Sequence, residues 1–86
     1  MNYTVQISKK AQKFIKAQQP KQQKRILDAI HKLPHEGDIK ALEGKAKAYR
    51  LRVGDYRIIY QVDNGAFIII VVDADNRGQI YKNKRR

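Results

Sequence analysis

The stretch from Tyr49 to Tyr60 constrains the fold of this chain more than any other. It reads Tyr49-Arg50-Leu51-Arg52-Val53-Gly54-Asp55-Tyr56-Arg57-Ile58-Ile59-Tyr60, with apolar and polar side chains alternating on both sides of Gly54-Asp55. Alternation with a period of two belongs to strands that bury one face. Glycine in first place fits a two-residue hairpin turn of type II′. Such a turn fixes the register: Val53 pairs with Tyr56, Arg52 with Arg57, and Leu51 with Ile58. Tyr49, Leu51, Val53, Tyr56, Ile58, Tyr60 and Val62 then share the face that must be covered. Arg50, Arg52 and Arg57 share the other. Like charges placed directly opposite each other in a sheet are destabilising. No acid stands at the alternating positions of this hairpin, since Asp55 lies in the turn and Asp63 at the far end. Planar guanidinium forks match phosphate oxygens, so three of them converging on an uncovered face form a phosphate clamp.

The remaining elements follow from the same patterning. Tyr3, Val5 and Ile7 alternate with polar residues and predict a short first strand. Ser8 is an N-cap for a helix to about Gln18, with Ala11, Phe14 and Ile15 on one face. Pro20 suits the first turn of a second helix, whose stripe is Ile26, Leu27, Ile30 and Leu33 and which Pro34 and Gly37 end. Residues 35–47 read as a loop, anchored by Ile39 and Leu42. Asn64-Gly65 is a strong hairpin signal. The apolar run from Ala66 to Val72 reads as a central strand covered on both faces, and a short strand is expected to return near Gln79 to Tyr81. The fold expected is α+β: two N-terminal helices, an αα-hairpin, on one face of a small, mainly antiparallel sheet of four to five strands. Residues 1–86 make one domain, ending in a basic tail over 82–86.

Composition bears on the partner. Nineteen Lys and Arg stand against eight Asp and Glu, a formal charge of +11 in 86 residues. A surface of that kind repels itself and attracts polyanions, nucleic acid foremost. There is no cysteine, which excludes disulfides and thiolate metal sites. The N-terminus lacks the apolar core of a signal peptide, and no apolar run approaches the roughly 20 residues of a membrane helix. A cytoplasmic protein with no membrane partner and no cofactor is expected.

With these residues in place, the Tyr49 to Tyr60 segment resembles the central hairpin of the RelE/ParE superfamily of bacterial toxins. The later Asn76-Arg77-Gly78-Gln79-Ile80-Tyr81-Lys82 is similar to the closing motif of its RelE branch. The first strand, the two helices and Leu42-Glu43-Gly44 fit the same layout. The resemblance implies a toxin of a type II toxin–antitoxin system. Such a toxin is an endoribonuclease that cuts mRNA in the A site of the 70S ribosome, without a metal, and that a cognate antitoxin neutralises. Carried over by position, Arg50 and Arg52 match the family's basic pair on the second strand, and Arg57 its third-strand catalytic arginine. Arg77 matches the basic residue before the last strand, and Tyr81 the near-terminal tyrosine. Lys45, Lys47 and Lys82 join them as RNA-binding residues. Several departures stand out: Arg50 and Arg52 stand where the family pair is often lysine, Asn76 occupies a place where many relatives have histidine, Asp75 one where glycine is frequent, and the C-terminal helix of some relatives is not expected after Tyr81.

On this reading Arg50, Arg52 and Arg77 bind the scissile phosphate, Arg57 stabilises the charge developing on it, and Tyr81 is the candidate base. Tyr81 also fits a phenol packed under the last strand, or one stacked on an RNA base. His31 and His35 lie away from the arginine face. Asp73 and Asp75 make a weak metal motif, and a turn role suits Asp75-Asn76 better. Lys9, Lys10, Lys13 and Lys16 form a basic helical strip that is either solvated or in contact with ribosomal RNA. The alternatives are a ParE-type toxin that inhibits DNA gyrase without catalysis, and a nucleic-acid-binding module with no toxic action.

Overall fold

Ser8 ends the first strand and starts the first helix in one residue. In a computed structural model that describes residues 3–42, 44 and 48–76, its hydroxyl accepts from the Ala11 amide at 3.1 Å, as an N-cap does. Strand β1 (Thr4–Ile7) precedes it and helix α1 (Lys9–Lys16) follows. The helix stops two residues before the expected Gln18, and Gln18 instead turns its side-chain amide back onto the Phe14 carbonyl at 3.0 Å. Helix α2 (Pro20–His31) begins with proline in its first turn. Ala11 and Ile15 from α1, Ile26 and Ile30 from α2, and Leu33 just beyond it are all buried.

Five strands form one sheet in the order β1-β5-β4-β3-β2, with β2 at Asp38–Ala41, β3 at Ala48–Val53, β4 at Tyr56–Asp63 and β5 at Ile68–Asn76. β1 runs parallel to β5, and every other pairing is antiparallel. The helices cover one face, on which Leu51, Val53, Tyr56, Ile58, Tyr60, Ile69, Val71 and Ala74 are buried. Each of the Leu, Ile and Val side chains among them contributes about 1.5–3 kcal/mol on leaving water. The architecture is the expected α+β fold, and the Gly54-Asp55 turn gives the expected register. Gly54 has φ +60 and Asp55 is not in the left-handed region, as a type II′ turn requires.

Three expectations are corrected. Residues 35–47 are not all loop: Asp38–Ala41 pairs with β3 as an edge strand. Four residues with one half-buried side chain, Ile39, are too few to display alternation. The Asn64-Gly65 hairpin closes with four residues, not two, because Asp63 pairs with Ile68. Asp63 accepts from the Ala66 amide at 3.0 Å, and Phe67 takes φ 56 with its carbonyl bonded to the Thr4 amide at 2.8 Å. Ala66 and Phe67 therefore lie in the turn, and the strand runs four residues past Val72. Its Ile68, Ile70 and Val72 are half-buried, so the strand is not fully covered on both faces. Thirdly, Asp73, Asp75 and Asn76 belong to this strand and not to a turn. The strand expected near Gln79 to Tyr81 lies outside the described residues, as does the tail.

Candidate functional site

The uncovered face of the sheet carries a row of four charges, one from each of four neighbouring strands. Asp38 on β2 pairs in register with Arg52 on β3, Arg52 with Arg57 on β4, and Arg57 with Asp75 on β5. Acid, base, base, acid thus run across the sheet, with the two arginines in the middle as the turn chemistry requires. One step along, Lys40 pairs with Arg50, and Arg50 with Ile59. Four cations from three strands meet on this patch.

Asp75 reaches this face through a β-bulge. Ile59 pairs with Asp73 and Tyr60 with Val71, so Val72 is an extra residue on β5. Ile69 and Val71 point to the helices, and uninterrupted alternation would send Asp73 and Asp75 the same way. The inserted residue reverses that parity, so Ala74 is buried and Asp75 lies against Arg57. Ser8 stabilises the bulge: its hydroxyl donates to the Val72 carbonyl at 3.0 Å and its amide to the Val71 carbonyl at 2.8 Å.

The three arginines are not equivalent. Arg57 Nη2 donates to Asp75 Oδ2 at 2.8 Å, with the side chains 35% and 24% exposed. Arg50 Nη2 lies 3.5 Å from Asp38 Oδ1, a looser contact made diagonally across the strands. Asp38 thereby leaves Arg52, its register partner, and the exposed Arg52 guanidinium has no carboxylate partner among the described residues. A free, a loosely paired and a tightly paired cation stand side by side. Arg25 of α2 adds a guanidinium beside the hairpin turn, where a Cβ built on Gly54 would lie 2.9 Å from its Nη2. Chemically the patch can bind oxyanions and stabilise negative charge developing on one.

Sequence reasoning brought Arg50, Arg52 and Arg57 together correctly. It missed Lys40, Asp38 and Asp75, because a four-residue edge strand and a bulge leave no signature in residue alternation. Arg77, Tyr81, Lys45, Lys47 and Lys82 lie outside the described residues. His35 packs its ring edge-on to Tyr3, with centroids 6.0 Å apart, and Lys9, Lys10, Lys13 and Lys16 are exposed on α1. Asp73 lies 3.5 Å from Lys10.

The chain resembles known toxins over nearly its full length. The profile of the family described as "ParE toxin of type II toxin-antitoxin system, parDE" matches residues 5–81. A protein of Methanocaldococcus jannaschii named "Putative toxin RelE1" is 35% identical, over 96% of this chain and 99% of its own length. In the crystal structure of the archaeal RelE-RelB complex from Pyrococcus horikoshii OT3, a chain 31% identical superposes with a TM-score of 0.75, covering 92% of this chain and 99% of that one. The RelB-RelE antitoxin-toxin complex of Methanococcus jannaschii gives 30% identity and a TM-score of 0.71, covering 92% and 98%. Pattern, sheet order and these likenesses agree: the chain belongs to the ParE toxin family of type II toxin–antitoxin systems, within the RelE/ParE superfamily and on its RelE-like branch.

Proposed function

We propose that this toxin is an endoribonuclease that cuts mRNA in the ribosomal A site and so inhibits translation. The observation that carries the reading is the face-to-face placement of Arg52 and Arg57 on a sheet face the helices leave open. Holding two guanidiniums opposite each other costs stability, and an RNA phosphate offsets that cost. The kinship with RelE toxins supports the same substrate class.

In this mechanism the 2′-oxygen of one nucleotide attacks the adjacent phosphorus in line. The O2′–P bond forms as the P–O5′ bond breaks, leaving a cyclic phosphate and a 5′-hydroxyl. Arg50, Arg52 and Arg77 bind the phosphate oxygens and align the backbone, while Arg57 stabilises the negative charge that grows on them and delivers the proton that the departing O5′ takes up. Tyr81 accepts the 2′-OH proton; a phenol with a pKa near 10 needs neighbouring guanidiniums for that role. Lys45, Lys47 and Lys82 extend the contact along the strand. The partners are mRNA and rRNA of the cytoplasmic 70S ribosome and a cognate antitoxin, as RelB accompanies RelE in the related complexes. The family description keeps a second reading in view, a ParE-type toxin acting on DNA gyrase.

Induced expression followed by mapping of mRNA 5′ ends, with ribosomes present and absent, tests this. Codon-phased cuts that need ribosomes are expected. Arg57→Ala should lower the cleavage rate about 10²-fold or more, the usual effect of removing one preorganised donor. Intact mRNA with altered DNA supercoiling would establish the gyrase reading instead, and neither effect would leave a binding module.

A further inference from the structure

Asp75 has no part in the cleavage chemistry, yet it is the residue most closely engaged with the arginine at its centre. We propose that Asp75 is a tethered competitor of the RNA phosphate: its carboxylate sits on Arg57 in the place a phosphate oxygen takes, and substrate must displace it. This inference rests on the RNA-binding reading of the site.

Three observations carry it. First, the chain reaches this contact by a specific device, the bulge at Val72, without which Asp75 would face the helices. Secondly, the pair is incomplete. Nη2 and Oδ2 are joined, while Arg57 Nε and Asp75 Oδ1 are both buried with no hydrogen-bond partner among the described residues. A fork-to-fork pair would satisfy both atoms. A buried donor and a buried acceptor left unmatched weaken the pair, so a phosphate with more acceptor oxygens can replace the carboxylate. Thirdly, the neighbouring cations are graded. Among the described residues Arg52 is exposed with no carboxylate partner, Arg50 is loosely held by Asp38, and Arg57 is held at 2.8 Å. RNA therefore meets Arg52 first, and Arg57 becomes available only once Asp75 has moved aside. Polyanions too weakly bound or too short to occupy both positions are left on Arg52 alone.

Competition and mere positioning of Arg57 predict opposite effects of removing the carboxylate. The experiment measures equilibrium binding of a short, fully 2′-O-methylated single-stranded RNA, which can be bound and not cut, over a range of salt. Wild type, Asp75→Asn, Arg57→Gln and the double variant are compared. Asp28→Asn, on the far side of the molecule, serves as the control for net charge. Competition predicts that Asp75→Asn binds about fivefold tighter and that its log–log salt slope steepens by about 0.7, one more phosphate neutralised. In the Arg57→Gln background the Asp75→Asn gain should shrink to that of Asp28→Asn. Weaker or unchanged binding in Asp75→Asn, or a gain that survives without Arg57, overturns the proposal while leaving RNA binding intact. RNA binding that is as tight in Arg57→Gln as in wild type overturns the RNA reading, and the proposal with it. Thermal melts of each variant confirm that the compared proteins are folded.

Discussion

Tyr60 and Tyr49 stack across the β3–β4 pair with ring centroids 5.5 Å apart, and Tyr60 is 1% exposed. Burial pushes the Tyr60 phenol up to about 12, with the neighbouring Tyr49 adding to the shift. A free phenol titrates near 10, so folding here favours the protonated form. The contribution is fully present below about pH 10 and is lost as pH rises through about 12. Tyr60→Phe keeps the ring and removes the titrating oxygen. It should leave stability at pH 7 nearly unchanged. Between about pH 9 and 11 it should lose roughly 1 kcal/mol less than wild type, as read from urea midpoints at the two values. Equal alkaline losses in the two proteins would mean that Tyr60 is not the group titrating. The same residue illustrates what alternation can reveal. Tyr60, Ile58 and Tyr56 were assignable to the covered face from their spacing alone, whereas the stack with Tyr49 depends on a strand register set by Gly54.

At the scale of elements, Ser8 joins three of them. It caps α1, ends β1 and donates to the carbonyl of the bulged Val72. Ser8→Ala removes a cap, which costs about 1 kcal/mol, and leaves the Val72 carbonyl one bond short, for about 1–2 kcal/mol in total. Ser8→Thr retains the hydroxyl and should recover most of it in chemical denaturation. The cap was legible in the sequence because it is local: a serine followed by apolar residues at helical spacing. The bulge was not, because it arises from how β5 fits between β1 and β4, and nothing in Val71-Val72-Asp73 marks the extra residue. For that reason the arginines could be placed on one face from sequence, while their carboxylate neighbours Asp38 and Asp75 could not. Both acids come from strands whose pairing is a tertiary fact. The same holds for Asn64-Gly65, where contacts of Tyr3 with Asn64 and Phe67 accompany a longer turn than the dipeptide prescribes.

Over the whole molecule, the cations of the described residues lie mainly on two surfaces. The sheet face carries Lys40, Arg50, Arg52 and Arg57, tempered by Asp38 and Asp75. The helical side exposes Lys9, Lys13 and Lys16 on α1 and Lys21, Lys24, Arg25 and Lys32 around α2, with Asp28 the one acid in either helix. A layer of sheet and core separates the two surfaces by more than the Debye length of about 8 Å at physiological ionic strength. Their roles in capturing RNA should therefore separate. Long-range attraction raises the association rate and is screened by salt, whereas a guanidinium on a phosphate slows dissociation. Replacing Lys9, Lys13 and Lys16 together by Gln should slow association at low salt and have little effect at physiological salt, with the dissociation rate unchanged. Arg52→Ala should speed dissociation at both. Stopped-flow binding of uncleavable RNA at two ionic strengths separates the cases. A triple variant that dissociates faster would make the helical side a second contact surface for RNA, and the cations of both surfaces would then serve in docking.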